Sequence, residues 1–218
     1  MSNRNYLENG NDYSFARLKR SSDFSANDLN IGTAGLEGCT VLTVASSEAV
    51  YMGHFFENLA WAPDAEYEID SDTAFQENCL NLITDNGNTW RAKGDAIDPS
   101  LFIDFNPVAF IMTPRQDQDD PTDEVPNPPV PGPKTQQYQA KVEQLVATLQ
   151  GLIPGLSVIF YNYIAMELED YETEYQGVAL FEYDPNADGH GNANFRIWYE
   201  AATEDAWGMG ILVDPYNS

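Results

Sequence analysis

Alternation of hydrophobic and polar positions predicts most of the strands in this chain. Two β-rich runs flank Ser46-Ser47, and they predict a β-hairpin from about Thr40 to Phe55. A continuous apolar run over 107–113 predicts a buried strand. Further runs predict three more strands and a short last one, over 156–167, 177–183, 194–200 and near Ile211.

Apolar positions three or four residues apart predict two helices. Asp72 is the expected N-cap of the first helix, which buries Cys79 in the core and ends at Asn86-Gly87. The second helix covers about four turns before Pro154-Gly155, with apolar positions Tyr138, Val142, Leu145, Val146, Leu149, Leu152 and Ile153. Because strands outnumber helices, we expect an α+β fold, with a mixed, largely antiparallel sheet or sandwich covered by about two helices.

The chain has 218 residues, enough for one domain with a substantial core. Residues 1–22 are polar and carry four of the ten Lys and Arg residues, so we expect a basic N-terminal arm before a single α+β domain at 23–218. Residues 116–134 combine an acidic run with several prolines, which exclude helix and inner strand. We expect a disordered acidic, Pro-rich insertion there.

Charge narrows the classes of partner. Ten Lys and Arg residues stand against 35 Asp and Glu, so the formal charge is −25. This field repels phosphate backbones and anionic membranes, so we expect no nucleic-acid or membrane partner and favour a protein substrate with a basic surface. No apolar run approaches the ~20 residues of a membrane span, and the start lacks a signal-peptide core. The expected location is cytoplasmic, or outside the cell after export without a classical signal peptide.

The candidate chemistry lies at the predicted hairpin, which brings one of the two cysteines near one of the two histidines. With Ser46 and Ser47 at the centre of the turn, Cys39 directly opposes His54, and opposed Cβ atoms lie roughly 4.5–5.5 Å apart. A loop with an odd residue count would shift this register. A cysteine attacks as its thiolate, and an adjacent histidine either accepts the thiol proton or holds the thiolate as imidazolium.

Three glycines lead into the cysteine within seven residues, and they allow close backbone approach and unusual dihedral angles. Exposed amide groups in such a loop can form an oxyanion hole beside the sulfur. Gly35 and Gly38 are therefore candidate oxyanion or supporting residues.

Thr33, Cys39 and His54 follow the pattern T-x5-C-x14-H, with Gly38 immediately before the cysteine. Over 33–57 the chain resembles the protein-glutamine deamidases that include the cytotoxic necrotizing factor toxins, the Burkholderia lethal factor and CheD. The resemblance implies that Cys39 is the nucleophile, that His54 is the general base and acid, and that Thr33 orients the site or contributes to its oxyanion side. It also implies hydrolysis of a glutamine side chain without metal or organic cofactor, and by analogy a toxin-like effector role.

One position departs from the lethal-factor motif, because Glu37 stands where that motif has a serine. A carboxylate so close to the thiol is expected to raise the cysteine pKa. With an amine in place of water, the same site would act as a transglutaminase.

Other interpretations are less specific. A non-catalytic binding or structural protein would retain the hairpin as scaffold, with an inert Cys39 and His54. A papain-like thiol hydrolase would need a histidine far downstream, and His190 is the one available. The run 184–189 imitates half of a calcium loop but lacks its twelfth-position Glu, so we interpret it as a hairpin turn. Phe55, Phe56 and Trp61 are expected in the core or beside His54.

Overall fold

The computed structural model describes residues 3–6, 13–24, 27–64, 66–84, 87–115, 136–166, 176–191 and 193–200. The strands are β1 (Asn3–Tyr6), β2 (Ser14–Arg20), β3 (Leu29–Thr33), β4 (Thr40–Ala45), β5 (Ala49–Phe55), β6 (Ala92–Gly94), β7 (Val108–Pro114), β8 (Ser157–Tyr163), β9 (Ala179–Asp184) and β10 (Asn194–Tyr199). The helices are α1 (Ser21–Phe24), α2 (Ser71–Phe75), α3 (Asn81–Ile83) and α4 (Gln139–Leu152). Wide helical turns span Glu57–Trp61 and Gln76–Leu80, and a tighter turn spans Pro99–Leu101.

The strands form two sheets. The larger has six strands in the order β6-β2-β5-β4-β7-β8, antiparallel from β2 to β7 and parallel at both edges. The smaller has four strands in the order β1-β3-β9-β10, antiparallel except for the β1–β3 pair. The expected mixed, largely antiparallel sheet or sandwich is confirmed.

The six-stranded sheet buries both of its faces. One face packs on the smaller sheet, and this inter-sheet core includes Ile31, Val41, Met52, Phe110, Phe181 and Ile197. The other face packs on the helices, with a second core that includes Leu42, Tyr51, Ile111, Cys79, Leu145 and Leu149. The result is a three-layer α+β structure in which α4 and the α2–α3 segment cover the larger sheet. The predicted burial of Cys79 is confirmed, since that side chain is fully buried.

The predicted hairpin exists, but its turn is centred one residue later than expected. Ser46 N–H donates to the carbonyl of Ala49 at 2.9 Å, so Ser47 and Glu48 are the central residues. The Ser46 hydroxyl accepts hydrogen bonds from the backbone N–H groups of Glu48 and Ala49, both at 3.1 Å. This local side-chain bonding, which the apolar pattern does not encode, sets the turn.

The later turn shifts the strand register by two residues. Val41, rather than Cys39, lies directly opposite His54. Because successive side chains alternate between faces, a two-residue shift leaves Cys39 on the same face as His54 as its diagonal neighbour. The expectation that the two residues directly oppose each other is therefore wrong, while the shared face is retained.

The expected N-terminal arm is also corrected. Residues 3–6 form β1, and 14–20 form β2 inside the six-stranded sheet, between β5 and β6. In β2, Ser14 and Ala16 are fully buried. In β2 small buried side chains alternate with cationic ones, so the sequence shows little of the hydrophobic pattern of a strand. Pairing with β5 stabilises β2 instead.

The helices match the prediction more closely. Tyr138 to Ile153 was expected to be helical, and α4 spans Gln139–Leu152. The first helix begins two residues earlier than expected, because Asp70 rather than Asp72 is its N-cap: its Oδ1 accepts from Asp72 N–H and Thr73 N–H at 3.0 and 2.9 Å. In the part of the chain that the structure describes, no helix is long and apolar enough to cross a membrane. The insertion at 116–134 and the strand near Ile211 lie outside the described residues.

Candidate active site

Thr33 and His54 meet across the interface between the two sheets. Thr33 is the last residue of β3 in the smaller sheet, and His54 lies in β5 of the larger one. The Thr33 Oγ1 and His54 Nδ1 atoms are 2.8 Å apart, and both side chains are buried. Two residues of the sequence pattern are thus joined by a hydrogen bond that neither the hairpin nor its register requires.

Cys39 lies immediately before β4, on the inter-sheet face that also carries His54. Its side chain is 4% exposed, and that of His54 is 2% exposed. Diagonal neighbours across an antiparallel pair lie roughly 7–8 Å apart at Cα, within reach of a histidine ring and a thiol. Thr33 and His54 are in direct contact, and Cys39 belongs to the same inter-sheet core, in a closed environment.

The peptide that carries Cys39 is held by a buried tyrosine. The Tyr163 hydroxyl donates to the carbonyl of Cys39 at 2.8 Å and accepts from Gly38 N–H at 2.9 Å. Tyr163 comes from β8, 124 residues along the chain from Cys39. The amide of Gly38 is thus engaged by Tyr163, which gives Gly38 a supporting position in the site.

The backbone conformation and the surroundings of position 38 both require glycine. Its φ is +103°, and a Cβ there would collide with the carboxylate of Glu57. Gly35 has a φ of +74° and accepts a hydrogen bond from Glu37 N–H at 3.1 Å. Both glycines shape the turn into Cys39.

Burial dominates the acidity of the thiol and raises the pKa of Cys39 to about 12. The backbone N–H groups of Glu57 and Glu37 hydrogen-bond the sulfur and lower this pKa, while the carboxylates of the same two residues raise it. The expected effect of Glu37 is confirmed in direction. In the closed site Cys39 is a neutral thiol.

Burial also lowers the pKa of His54 to about 4, so the imidazole is neutral near pH 7. The Phe56 ring stacks on it, with ring centroids 4.4 Å apart and planes inclined by 16°. In the tautomer in which Nδ1–H donates to Thr33 Oγ1, the Nε2 atom carries the lone pair of a base. Thr33 thus holds the imidazole in place, and in this tautomer Nε2 can accept a thiol proton.

Glu57 and Tyr163 are functional candidates that the sequence pattern missed. The Glu57 carboxylate accepts a hydrogen bond from the Tyr138 hydroxyl and another from Gln137 Nε2 at 3.1 Å. The signal that could have identified Glu57 is its place in the sequence, three residues after His54 and just past the end of the hairpin. Tyr163 had no signal beyond its position in a predicted strand.

Two other expectations about the site are resolved by position. Of the three aromatic residues expected in the core or beside His54, Phe56 stacks on His54, and Phe55 and Trp61 belong to the core on the opposite face of the sheet. His190 is exposed in the β9–β10 turn, roughly 16 Å along the strands from the end that carries Thr33. The papain-like interpretation is therefore wrong, since His190 cannot reach Cys39.

The run at 184–189 lies in the connection between β9 and β10, as expected of a hairpin turn. Asp184 Oδ1 accepts from Asn186 N–H, and Asp188 Oδ1 accepts from His190 N–H, both at 2.8 Å. Among the residues described, no group of three or more His, Cys, Asp or Glu side chains is arranged to hold a metal ion.

The chain matches no protein-family model and no curated protein sequence. Function is therefore inferred from the geometry and chemistry of the site.

Proposed function

We propose that the protein is a cysteine-dependent amidohydrolase that deamidates glutamine side chains of a protein substrate. Cys39 is the nucleophile, His54 the general base and acid, and Thr33 the residue that orients the imidazole. The observation that carries this proposal is the 2.8 Å hydrogen bond between Thr33 Oγ1 and His54 Nδ1, which joins two members of the T-x5-C-x14-H pattern from different sheets.

The first half of the reaction forms a thioester. The Cys39 sulfur bonds to the carboxamide carbon while the thiol proton passes to His54 Nε2. The imidazolium then donates this proton to the departing nitrogen, the C–N bond breaks, and ammonia leaves. Because both groups are uncharged at the start, proton transfer accompanies attack rather than preceding it.

The second half is hydrolysis. Neutral His54 takes a proton from a water molecule as its oxygen adds to the thioester carbon. The C–S bond then breaks, the proton returns to sulfur, and a glutamate side chain leaves with Cys39 regenerated. An amine in place of water would give a transglutaminase product instead. Every proton transfer uses side chains of the chain alone.

The substrate we propose is a protein with a basic surface, because a formal charge of −25 attracts cationic partners at long range. The proposed setting is the cytoplasm, or a target cell reached by export without a classical signal peptide. In that second setting the protein would act as a toxin-like effector.

A non-catalytic binding or structural role is the second candidate, and burial is the observation that favours it. Cys39 and His54 are 4% and 2% exposed, so a carboxamide reaches them only if the end of the sandwich opens. In a scaffold, the Thr33–His54 bond would simply satisfy a buried imidazole.

The rate of Cys39 alkylation by iodoacetamide, itself a small carboxamide, distinguishes the two candidates. Cys79→Ala is the background, because it leaves one thiol. If His54 takes the thiol proton during attack, the rate rises as His54 loses its own proton, near pH 4, and is then flat up to about pH 9. In His54→Gln the rate should be lower and rise roughly tenfold per pH unit, as for an isolated thiol of high pKa.

Parallel pH profiles in the two proteins, or labelling of Cys39 only after unfolding, would favour the scaffold and end the deamidase proposal. Cys39→Ala in the same background is the control for labelling elsewhere.

A further inference from the structure

Cationic side chains collect at one edge of the site face in this strongly acidic protein. Residues at alternate positions of a strand share a face, so Phe15 and Arg17 of β2 lie on the face of the larger sheet that carries His54. Lys93 of the edge strand β6 pairs with Phe15 and shares that face. Arg17 and Lys93 are both exposed.

Aromatic rings lie under these cations. The Arg17 guanidinium carbon is 4.6 Å from the centroid of the Phe15 ring, and Lys93 Nζ is 4.3 Å from that of Tyr13. The two ring centroids are 6.1 Å apart. Tyr13, Phe15, Arg17 and Lys93 form what we call the cation–aromatic strip. Cation–π contact holds its charges over the rings and in reach of solvent.

The strip leads directly to the candidate active site. Phe15 is the β2 residue paired with His54, so the two side chains are neighbours across adjacent strands about 4.8 Å apart. Phe15 and Phe56 are both half-buried, and Phe56 stacks on the imidazole. On this side His54 is therefore bordered by partly exposed rings, whereas on the β4 side it is bordered by the fully buried Val41.

Within the described part of the chain, the two cations of the strip have no ion-pair partner. Among the residues described, Arg17 and Lys93 form no ion pair, whereas Arg20 pairs with Asp98 and Arg91 with Asp64. In a chain with 35 acidic residues, two exposed cations that no described carboxylate pairs with are available to a ligand.

We propose that the cation–aromatic strip binds an acidic segment of the protein substrate next to the reactive glutamine. This inference rests on the proposed function and names the local sequence of the substrate. Carboxylates would pair with Arg17 and Lys93, and the glutamine side chain would extend past Phe15 toward His54. One substrate can carry both a basic surface, attracted by the net charge of this protein, and an acidic stretch beside the glutamine. Salt screening confines the attraction exerted by Arg17 and Lys93 to the segment next to them.

Fluorescence anisotropy with full-length Cys39→Ala protein tests the docking without chemistry. The probes are labelled nonapeptides with a central Gln and Asp/Glu, Ser/Asn or Lys/Arg on both sides, at physiological ionic strength. We expect the acidic peptide to bind roughly tenfold more tightly than the neutral one. Arg17→Glu and Lys93→Glu should each weaken it roughly threefold to tenfold. Arg20→Glu, the same charge change on the other face of β2, should stay within about twofold.

Three results would overturn the docking proposal: tighter binding of the basic peptide, equal loss in Arg20→Glu, or displacement of the acidic peptide by a single-stranded oligonucleotide that binds more tightly.

Ammonia release from the same peptides by the Cys39-containing protein separates the two proposals. Release that ignores the flanking charge leaves the deamidase proposal intact and removes the docking one. Charge-dependent binding without any ammonia removes the deamidase proposal and leaves the strip as a binding site for acidic peptides alone.

Discussion

The Oγ1 atom of Thr33 and the Nδ1 atom of His54 lie 2.8 Å apart, although one belongs to the smaller sheet and the other to the larger. The bond is buried, so its loss leaves a polar atom without water as a replacement partner. It couples the packing of the sandwich to the orientation of the imidazole that we propose as the general base.

Removing the Thr33 hydroxyl should affect stability and reactivity together. Thr33→Val keeps the side-chain shape, and we expect it to reduce the free energy of unfolding by about 1–3 kcal/mol, measured by urea denaturation. The His54-dependent rate of Cys39 alkylation should fall about tenfold, because the imidazole is no longer held in one orientation. Thr33→Ser, which keeps the hydroxyl, should retain most of that rate. Equal rates in the Val and Ser variants would contradict the orienting role.

His54 should make the protein less stable as the pH falls. Burial lowers its pKa from 6.5 to about 4, so between these values the unfolded chain binds a proton that the folded chain does not. The contribution of neutral His54 to the free energy of unfolding is therefore complete above pH 6.5. It is lost progressively toward pH 4, by up to about 1.4 kcal/mol per pH unit. Between pH 7 and pH 5 the expected loss is about 2 kcal/mol.

Urea denaturation at both pH values measures this loss. Because carboxylates also begin to titrate near pH 5, the comparison is with His54→Gln, whose pH dependence should be smaller by that amount. The same slope in both proteins would mean that His54 is accessible to protons in the folded state.

Tyr163 should stabilise the peptide that carries Cys39. Tyr163→Phe removes the hydroxyl that bonds Gly38 N–H and the Cys39 carbonyl, and we expect a loss of about 2 kcal/mol in unfolding free energy. Tyr161→Phe is the matched control in the same strand, since it loses one bond, to Glu200, at a less buried position. We expect that control to cost less than about 1 kcal/mol. Equal losses in the two variants would show that the hydrogen bonds of Tyr163 to Gly38 and Cys39 add no extra stability.

Alanine should be more destabilising at Gly38 than at a glycine whose only constraint is a positive φ. Gly38→Ala combines a φ of +103° with a collision between the new Cβ and the Glu57 carboxylate. We expect it to reduce the free energy of unfolding by at least about 2 kcal/mol. Gly155→Ala has a φ of +83° but open space around the new Cβ, so only about 1 kcal/mol is expected.

A double-mutant cycle with Glu57→Ala isolates the collision. The Cβ of Gly38→Ala should cost about 1 kcal/mol less when Glu57 has been shortened. Additive effects would mean that the carboxylate moves away freely and that the whole cost comes from the backbone angle.

The hairpin, α4 and the burial of Cys79 were predictable because each is encoded by neighbouring residues with a clear period. The turn position was not, because the Ser46 hydroxyl competes for the backbone N–H groups of Glu48 and Ala49. The resulting two-residue shift moved Cys39 from the position opposite His54 to the diagonal one.

The sequence by itself determined the α+β class, the two hairpin strands beside Cys39 and through His54, and the face that these two residues share. These depend on local periodicity, which survives a register error of two residues. Tertiary structure alone decided that β2 lies inside the sheet, that Thr33 reaches His54 and that Tyr163 clamps Gly38. Each requires segments distant along the chain to pack against one another, and such packing is favoured by burial that no local pattern records.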